Sequence, residues 1–281
     1  MGVMRLKVCA LSLLVLFSTA CAVAPTPHPS PFPTPLVSFR CTTSEAKGRC
    51  GPYDDYRRVT GTTSSTYVGN NVWNAVSGAR QILHATDPGN WLVQANMPAR
   101  NTAVVSYPSI GANYGQITNQ PTPLDRHSSI VSSFDETMNA TDGTSAWAAY
   151  DIWLAPGNCA AGSTCPSYEV MIQHDFAGNG RCKTIASAEF GGSGGIPRER
   201  WHLCRYGSEL IWKLGADEDH KVSVQSGTVD VLSMLTWLVD HGDLPRGIGL
   251  WLIGYGWEIC STGGVNENFQ VHGFSLIAQQ S

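Results

Sequence analysis

Apolar and polar residues alternate along much of this chain in short runs broken by turn-forming residues. Runs of this kind at Trp91–Ala95, Ala103–Tyr107, Ala146–Leu154, Tyr168–His174, Arg205–Leu214, Lys221–Gln225, Gly249–Tyr255 and Phe269–Ala278 predict strands. Clusters such as Asp87-Pro88-Gly89-Asn90 and Ala177-Gly178-Asn179-Gly180 lie between them and read as turns. One segment follows a different period. From Val229 to His241, Val231, Leu235, Leu238 and Val239 recur at helical spacing, with Gly242 at the end and Gly227-Thr228 as the N-terminal cap. No internal repeat interrupts the pattern. The economical architecture is an all-β sandwich with one amphipathic helix packed on a sheet.

The N-terminal segment has its own pattern. Arg5 and Lys7 precede an apolar run from Val8 to Phe17, and Ala22-Val23-Ala24 is a small-x-small cleavage site. Residues 1–24 therefore read as an export signal, too short in its apolar run to span a bilayer permanently. Cys21 is a candidate for lipid attachment, which would hold the protein at the cell envelope. Residues 25–36 alternate proline with other residues and predict an extended linker. Residues 37–281 are expected to form one folded domain, secreted or extracytoplasmic.

Composition narrows the function. Charged residues make up 14 % of the chain and the formal net charge is −4, which argues against nucleic acid as a ligand. Nine tryptophans and nine tyrosines supply core, and also flat apolar faces on which sugar rings stack. In an exported chain the cysteines should pair. Close spacing suggests Cys41–Cys50 and Cys159–Cys165; Cys182–Cys204 would then close a third loop, with Cys260 left over, and sequence does not fix the connectivity. No Cys-x-x-Cys zinc spacing and no His-Glu-x-x-His occurs. His174-Asp175 reads as surface polarity rather than a metal site.

The chemistry concentrates in two glutamates within strand-like runs, Glu169 and Glu258. A carboxylate in a half-buried strand is costly unless it is paired or used. Alternation puts Glu169, Met171 and Gln173 on one face, opposite Val170 and Ile172. Likewise Asp151 shares a face with Trp153, and Glu258 with Cys260. Two facing carboxyl groups are the minimum equipment for glycosidic bond cleavage.

Asn70-Asn71-Val72-Trp73, Val105-Ser106-Tyr107-Pro108-Ser109-Ile110, Tyr150-Asp151-Ile152-Trp153-Leu154, Glu169-Val170-Met171-Ile172 and Gly256-Trp257-Glu258-Ile259…Phe274-Ser275-Leu276 resemble, in order, the motifs of glycoside hydrolase family 12. The resemblance covers about residues 67–278. It implies a β-jelly roll of two curved antiparallel sheets, with a concave cleft for a β-glucan chain. It also implies a retaining endo-β-1,4-glucanase. Carried over by position, Glu169 matches the nucleophile, Glu258 the acid/base and Asp151 the aspartate beside the nucleophile. Met171 matches a methionine of the same strand, while Asn71 and Trp73 match the substrate-binding end of the cleft. Trp153 and Gln173 join the substrate-binding candidates through their faces. A retaining pair stands about 5–5.5 Å apart, and carboxyl groups that close drive each other's pKa apart. Glu258 is expected to carry the raised pKa. The chain departs from the family at Gln173-His174-Asp175 and at Gly191-Gly192-Ser193-Gly194-Gly195-Ile196-Pro197, which bears on substrate preference.

Xyloglucan is an alternative substrate to cellulose-like or mixed-linkage glucan. A jelly-roll protein that binds glucan without turning it over, and an envelope-attached interaction protein, are the rival readings. The chemistry needs no cofactor or metal, and a monomer is expected.

Overall fold

The computed structural model of the chain describes residues 35–40, 66–74, 76–115, 120–157, 166–178, 182–192 and 197–281. The export signal, most of the linker, Cys21, Cys41, Cys50, Cys159, Cys165 and residues 193–196 lie outside the described residues.

The strands in chain order are β1 (Pro35–Arg40), β2 (Thr66–Gly69), β3 (Arg80–Asp87), β4 (Asn90–Asn96), β5 (Ser109–Asn113), β6 (Thr122–Pro123), β7 (His127–Met138) and β8 (Thr144–Pro156). They continue as β9 (Tyr168–Ala177), β10 (Thr184–Phe190), β11 (Glu199–Tyr206), β12 (Glu209–Leu214), β13 (Ser226–Asp230), β14 (Ile248–Thr262) and β15 (Glu267–Gln280). One sheet has the order β1-β3-β4-β15-β7-β13. The other has the order β10-β11-β12-β9-β8-β14-β5-β2, with β6 also pairing β14. β9 and β12 run parallel, whereas the other described pairs are antiparallel. The protein is a β-jelly roll, as the alternating pattern and the family resemblance led us to expect.

Alternation explains the layers. Tyr150, Ile152 and Leu154 of β8, Val170 and Ile172 of β9, and Tyr255, Trp257 and Ile259 of β14 turn inward toward Trp91, Val93, Ile130 and Phe134 of the first sheet. Trp91 meets Trp257 edge-on at 5.2 Å, so Trp91 is core. Residues of opposite parity, among them Asp151, Glu169 and Glu258, are left on the outer face of the second sheet.

The helix α1 spans Val231–Asp240 and buries Val231, Met234, Leu235 and Leu238. Its cap is Asp230, not Gly227-Thr228: Asp230 Oδ1 accepts from the Ser233 amide at 3.0 Å. Residues 226–230 are occupied in pairing with β7, so the helix starts later than its apolar spacing suggests.

Three predicted strands come out differently. Ala103–Tyr107 contains only a bridge from Ser106 to Ile259. Pro108 has no N–H to donate and the Tyr107 amide turns to Asn71 O, so the ladder begins at Ser109. Arg205–Leu214 is a hairpin of two strands, because Gly207 at φ +62° folds the chain back. Lys221–Gln225 crosses between strands: Val222 N donates to Leu214 O, and Val224 N to His174 O. His174 is not on the surface. It is fully buried and stacks on Phe134 at 3.9 Å, and Asp175 is buried beside it.

The disulfide Cys182–Cys204 forms as expected, and Cys260 is a buried free thiol among the described residues.

Candidate active site

The outer face of the second sheet carries a cavity of about 690 Å³. Glu169 from β9, Asp151 and Trp153 from β8, Glu258 from β14, and Asn71 and Trp73 from the segment after β2 all line it. Sequence-distant residues meet here because β8 lies between β9 and β14, with Asp151 opposite both Met171 and Gly254. Gly254 is part of the floor. A Cβ there would press on the Tyr107 ring at 3.2 Å, so the missing side chain lets Tyr107 lie across the strand. The Tyr107 hydroxyl donates to Ala149 O at 3.0 Å, which fixes the ring.

Each carboxyl group has an indole or carboxyl partner. Trp153 Nε1 donates to Asp151 Oδ2 at 2.9 Å, and Trp147 Nε1 donates to Glu258. Asp151 lies beside Glu169 and its charge raises it; two carboxyl groups can hydrogen-bond each other only with a proton between them. Burial pushes Glu169 up to about 9, with the neighbouring Asp151 and Glu209 charges adding to it. Burial also raises Asp151 to about 7, against the Trp153 hydrogen bond. Glu258 is pushed up to about 8, again mainly by burial; the Trp147 N–H opposes this, and Glu209 and Glu169 add to it. The expectation that Glu258 would carry the raised pKa of the pair does not hold: Glu169 is raised at least as far. All three groups are half-buried, and desolvation acts on each.

Two candidates do not reach the cavity. Met171 and Gln173 share the face of Glu169 but are 1 % and 3 % exposed and are absent from the cavity lining. Met171 packs against Ala149, Ile211 and Cys204, with Trp147 and Cys182 around it. Gln173 Nε2 points at Met171 Sδ, 3.7 Å away. Alternation assigned the face correctly; a tertiary cover removes both from the open site.

Other lining residues were not singled out from sequence: Tyr67, Tyr107, Pro166, Glu209 and Trp251. Tyr107 lay inside a motif already noted. The signal for Glu209 was another charged residue in an apolar run, Glu209-Leu210-Ile211-Trp212.

No protein-family model matches the chain, and no curated protein matches it by sequence. Solved structures do match. A family 12 xyloglucanase from Bacillus licheniformis shares 19 % identity at a TM-score of 0.65, covering 80 % of this chain and 98 % of that one. The xyloglucanase domain of an effector from Sinorhizobium fredii, solved with cellobiose, shares 21 % at 0.58, covering 77 % and 94 %. An endoglucanase from Rhodothermus marinus shares 20 % at 0.62, covering 77 % and 93 %. Identities this low speak for architecture alone, and the fold of this chain is the one found in family 12 glycoside hydrolases.

Proposed function

We propose that this chain is a secreted, retaining endo-β-1,4-glucanase acting on cellulose-like or mixed-linkage β-glucan. The observation that carries the reading is the meeting of Glu169, Glu258 and Asp151 in one cavity that also holds Trp73, Asn71 and Trp153. The two glutamates supply a nucleophile and a proton donor, and the indoles supply flat faces for sugar rings.

In the first step a Glu169 oxygen bonds to the anomeric carbon as the bond to the leaving oxygen breaks. Glu258, protonated through burial, gives its proton to that oxygen. For the attack Glu169 must be ionised. At rest Glu169, at about 9, holds its proton beside Asp151, at about 7, so that proton must pass to Asp151 as the sugar binds, leaving Glu169 the carboxylate. In the second step Glu258 takes a proton from water, whose oxygen bonds to the anomeric carbon and releases Glu169. Trp147 orients Glu258 for both transfers. Export through residues 1–24 fits a polymeric substrate outside the cell, with Cys21 the alternative anchoring point.

Xyloglucan is the second reading, supported by the two structural neighbours that are xyloglucanases. Reducing-sugar release from carboxymethylcellulose, mixed-linkage glucan and xyloglucan tests both. Activity that collapses in Glu169→Gln and in Glu258→Gln supports the hydrolase and ranks the substrates. Glucan binding without turnover, indifferent to both substitutions, would overturn it.

A further inference from the structure

Beyond Glu169 the outer face continues onto β12 and β11, which the mechanism above leaves unused. The parallel register sets Glu209 beside Glu169, Ile211 beside Met171 and Lys213 beside Gln173. The next register sets Tyr206 beside Glu209, Cys204 beside Ile211 and His202 beside Lys213. Cross-strand partners share a face, so three rows of side chains cross these strands.

Two of the rows are covered. Met171, Ile211 and Cys204 lie under the packing around Cys182 and Trp147, and the disulfide ties this cover down. In the next row Lys213 is 4 % exposed and holds Glu218 at 3.0 Å. Glu218 also meets His202 Nε2 at 3.2 Å and Lys221 at 3.5 Å. Opening a buried ion pair of this kind is strongly unfavourable, so a sugar chain does not pass there.

The remaining row is open. It runs from Trp153 through Glu169 and Glu209 to Tyr206. Glu209 lines the cavity, and Tyr206 is 77 % exposed. An exposed tyrosine alone says little. This one ends the uncovered row of the catalytic face, next to a cavity carboxyl group. The strand order puts it on the opposite side of Glu169 from β2 and the Asn71–Trp73 segment.

The geometry points to a sugar-binding subsite formed by Glu209 and Tyr206, which takes a glucan ring extending past the Glu169–Glu258 pair on the side away from Trp73. Tyr206 offers its ring face to the apolar face of the pyranose, and Glu209 accepts a hydrogen bond from a sugar hydroxyl. Such a subsite rests on the proposed glucanase reading and makes the enzyme prefer long chains over substrates that end at the scissile bond.

Two measurements test it. The first compares kcat/KM on cellohexaose with kcat/KM on an aryl β-cellobioside, for the wild type, Tyr206→Ala, Tyr206→Phe and Glu209→Ala. Tyr206→Ala and Glu209→Ala should each lower the hexaose-to-aryl ratio about five- to tenfold, the scale of one lost aromatic or polar contact. Tyr206→Phe should restore it, because the ring face remains. An unchanged ratio in active Tyr206→Ala overturns the subsite. The second measures cellohexaose binding by calorimetry in Glu169→Gln, with and without Tyr206→Ala. A Kd weakened by the added substitution supports the subsite even where no turnover occurs, which separates its failure from failure of the glucanase reading. An unchanged Kd overturns the subsite alone; no binding in either form overturns the glucanase reading and the subsite with it.

Discussion

The second sheet has buried carboxyl groups on both of its faces. On the outer face Asp151, Glu169 and Glu258 line a cavity with tryptophans. On the inner face Glu136 of β7 meets Asp175 and the Trp257 indole. Burial drives Glu136 up to about 9, with the Asp175 charge adding to it, and this matches the value reached by Glu169. A raised carboxyl pKa is therefore no mark of chemistry in this protein. Access is what differs: Glu136 is 2 % exposed and sealed between sheets, whereas Glu169 faces space that a sugar ring can fill.

The contrast breaks most sharply under isosteric amide substitution. Glu169→Gln and Glu258→Gln should each lower turnover of glucan by about a thousandfold or more, since each removes a group that bonds or transfers a proton. Glu136→Gln should keep most activity in the same reducing-sugar assay. A comparable loss in Glu136→Gln would erase the distinction between the faces.

Stability should not separate the two faces at all. A carboxyl raised from 4.5 to about 9 keeps its proton in the native state where the unfolded chain gives it up. Its contribution is fully present below about pH 4.5, and is lost as pH rises through about 9. The thermal midpoint of the wild type should fall across that window. Glu136→Gln and Glu169→Gln should both raise the midpoint at pH 8 and flatten the decline, by about 2–4 °C for each kcal/mol gained in a domain of this size. A midpoint insensitive to pH in the wild type would contradict the burial of these groups.

A smaller effect distinguishes the partners. Trp147→Phe removes the N–H that favours ionised Glu258. The basic limb of the pH–rate profile, where Glu258 loses its proton, should move to higher pH. A shift to lower pH would assign that limb to another group.

The parts of the structure that were legible in sequence share a cause. Around the glutamates, over 150–154, 168–172 and 255–259, β8, β9 and β14 alternate with Tyr150, Val170 and Trp257 inward, and so the face of each candidate glutamate could be read; bulges break the alternation elsewhere in these strands. Glu209 could not be placed that way. Its neighbour Glu169 is joined to it through a parallel pair, and periodicity reports a residue's face without naming the strand beside it. Met171 and Gln173 failed for a related reason: the Cys182–Cys204 link and Glu218 that cover their rows come from other segments. His174 misled because a lone histidine usually signals surface, while this one fills an aromatic cluster with Phe134 and Tyr255. The hairpin at Gly207-Ser208 was readable as a two-residue turn and was overridden by the apolar residues on either side.

The placement of the last two strands has a consequence in time. β15 lies between β4 and β7 in one sheet, and β14 between β8 and β5 in the other. Neither sheet can close until residues 248–280 are available, so the pairings that complete the core are long-range and late. A chain built in this order cannot complete either sheet while its last strands are still missing, so a truncation before residue 248 would split both.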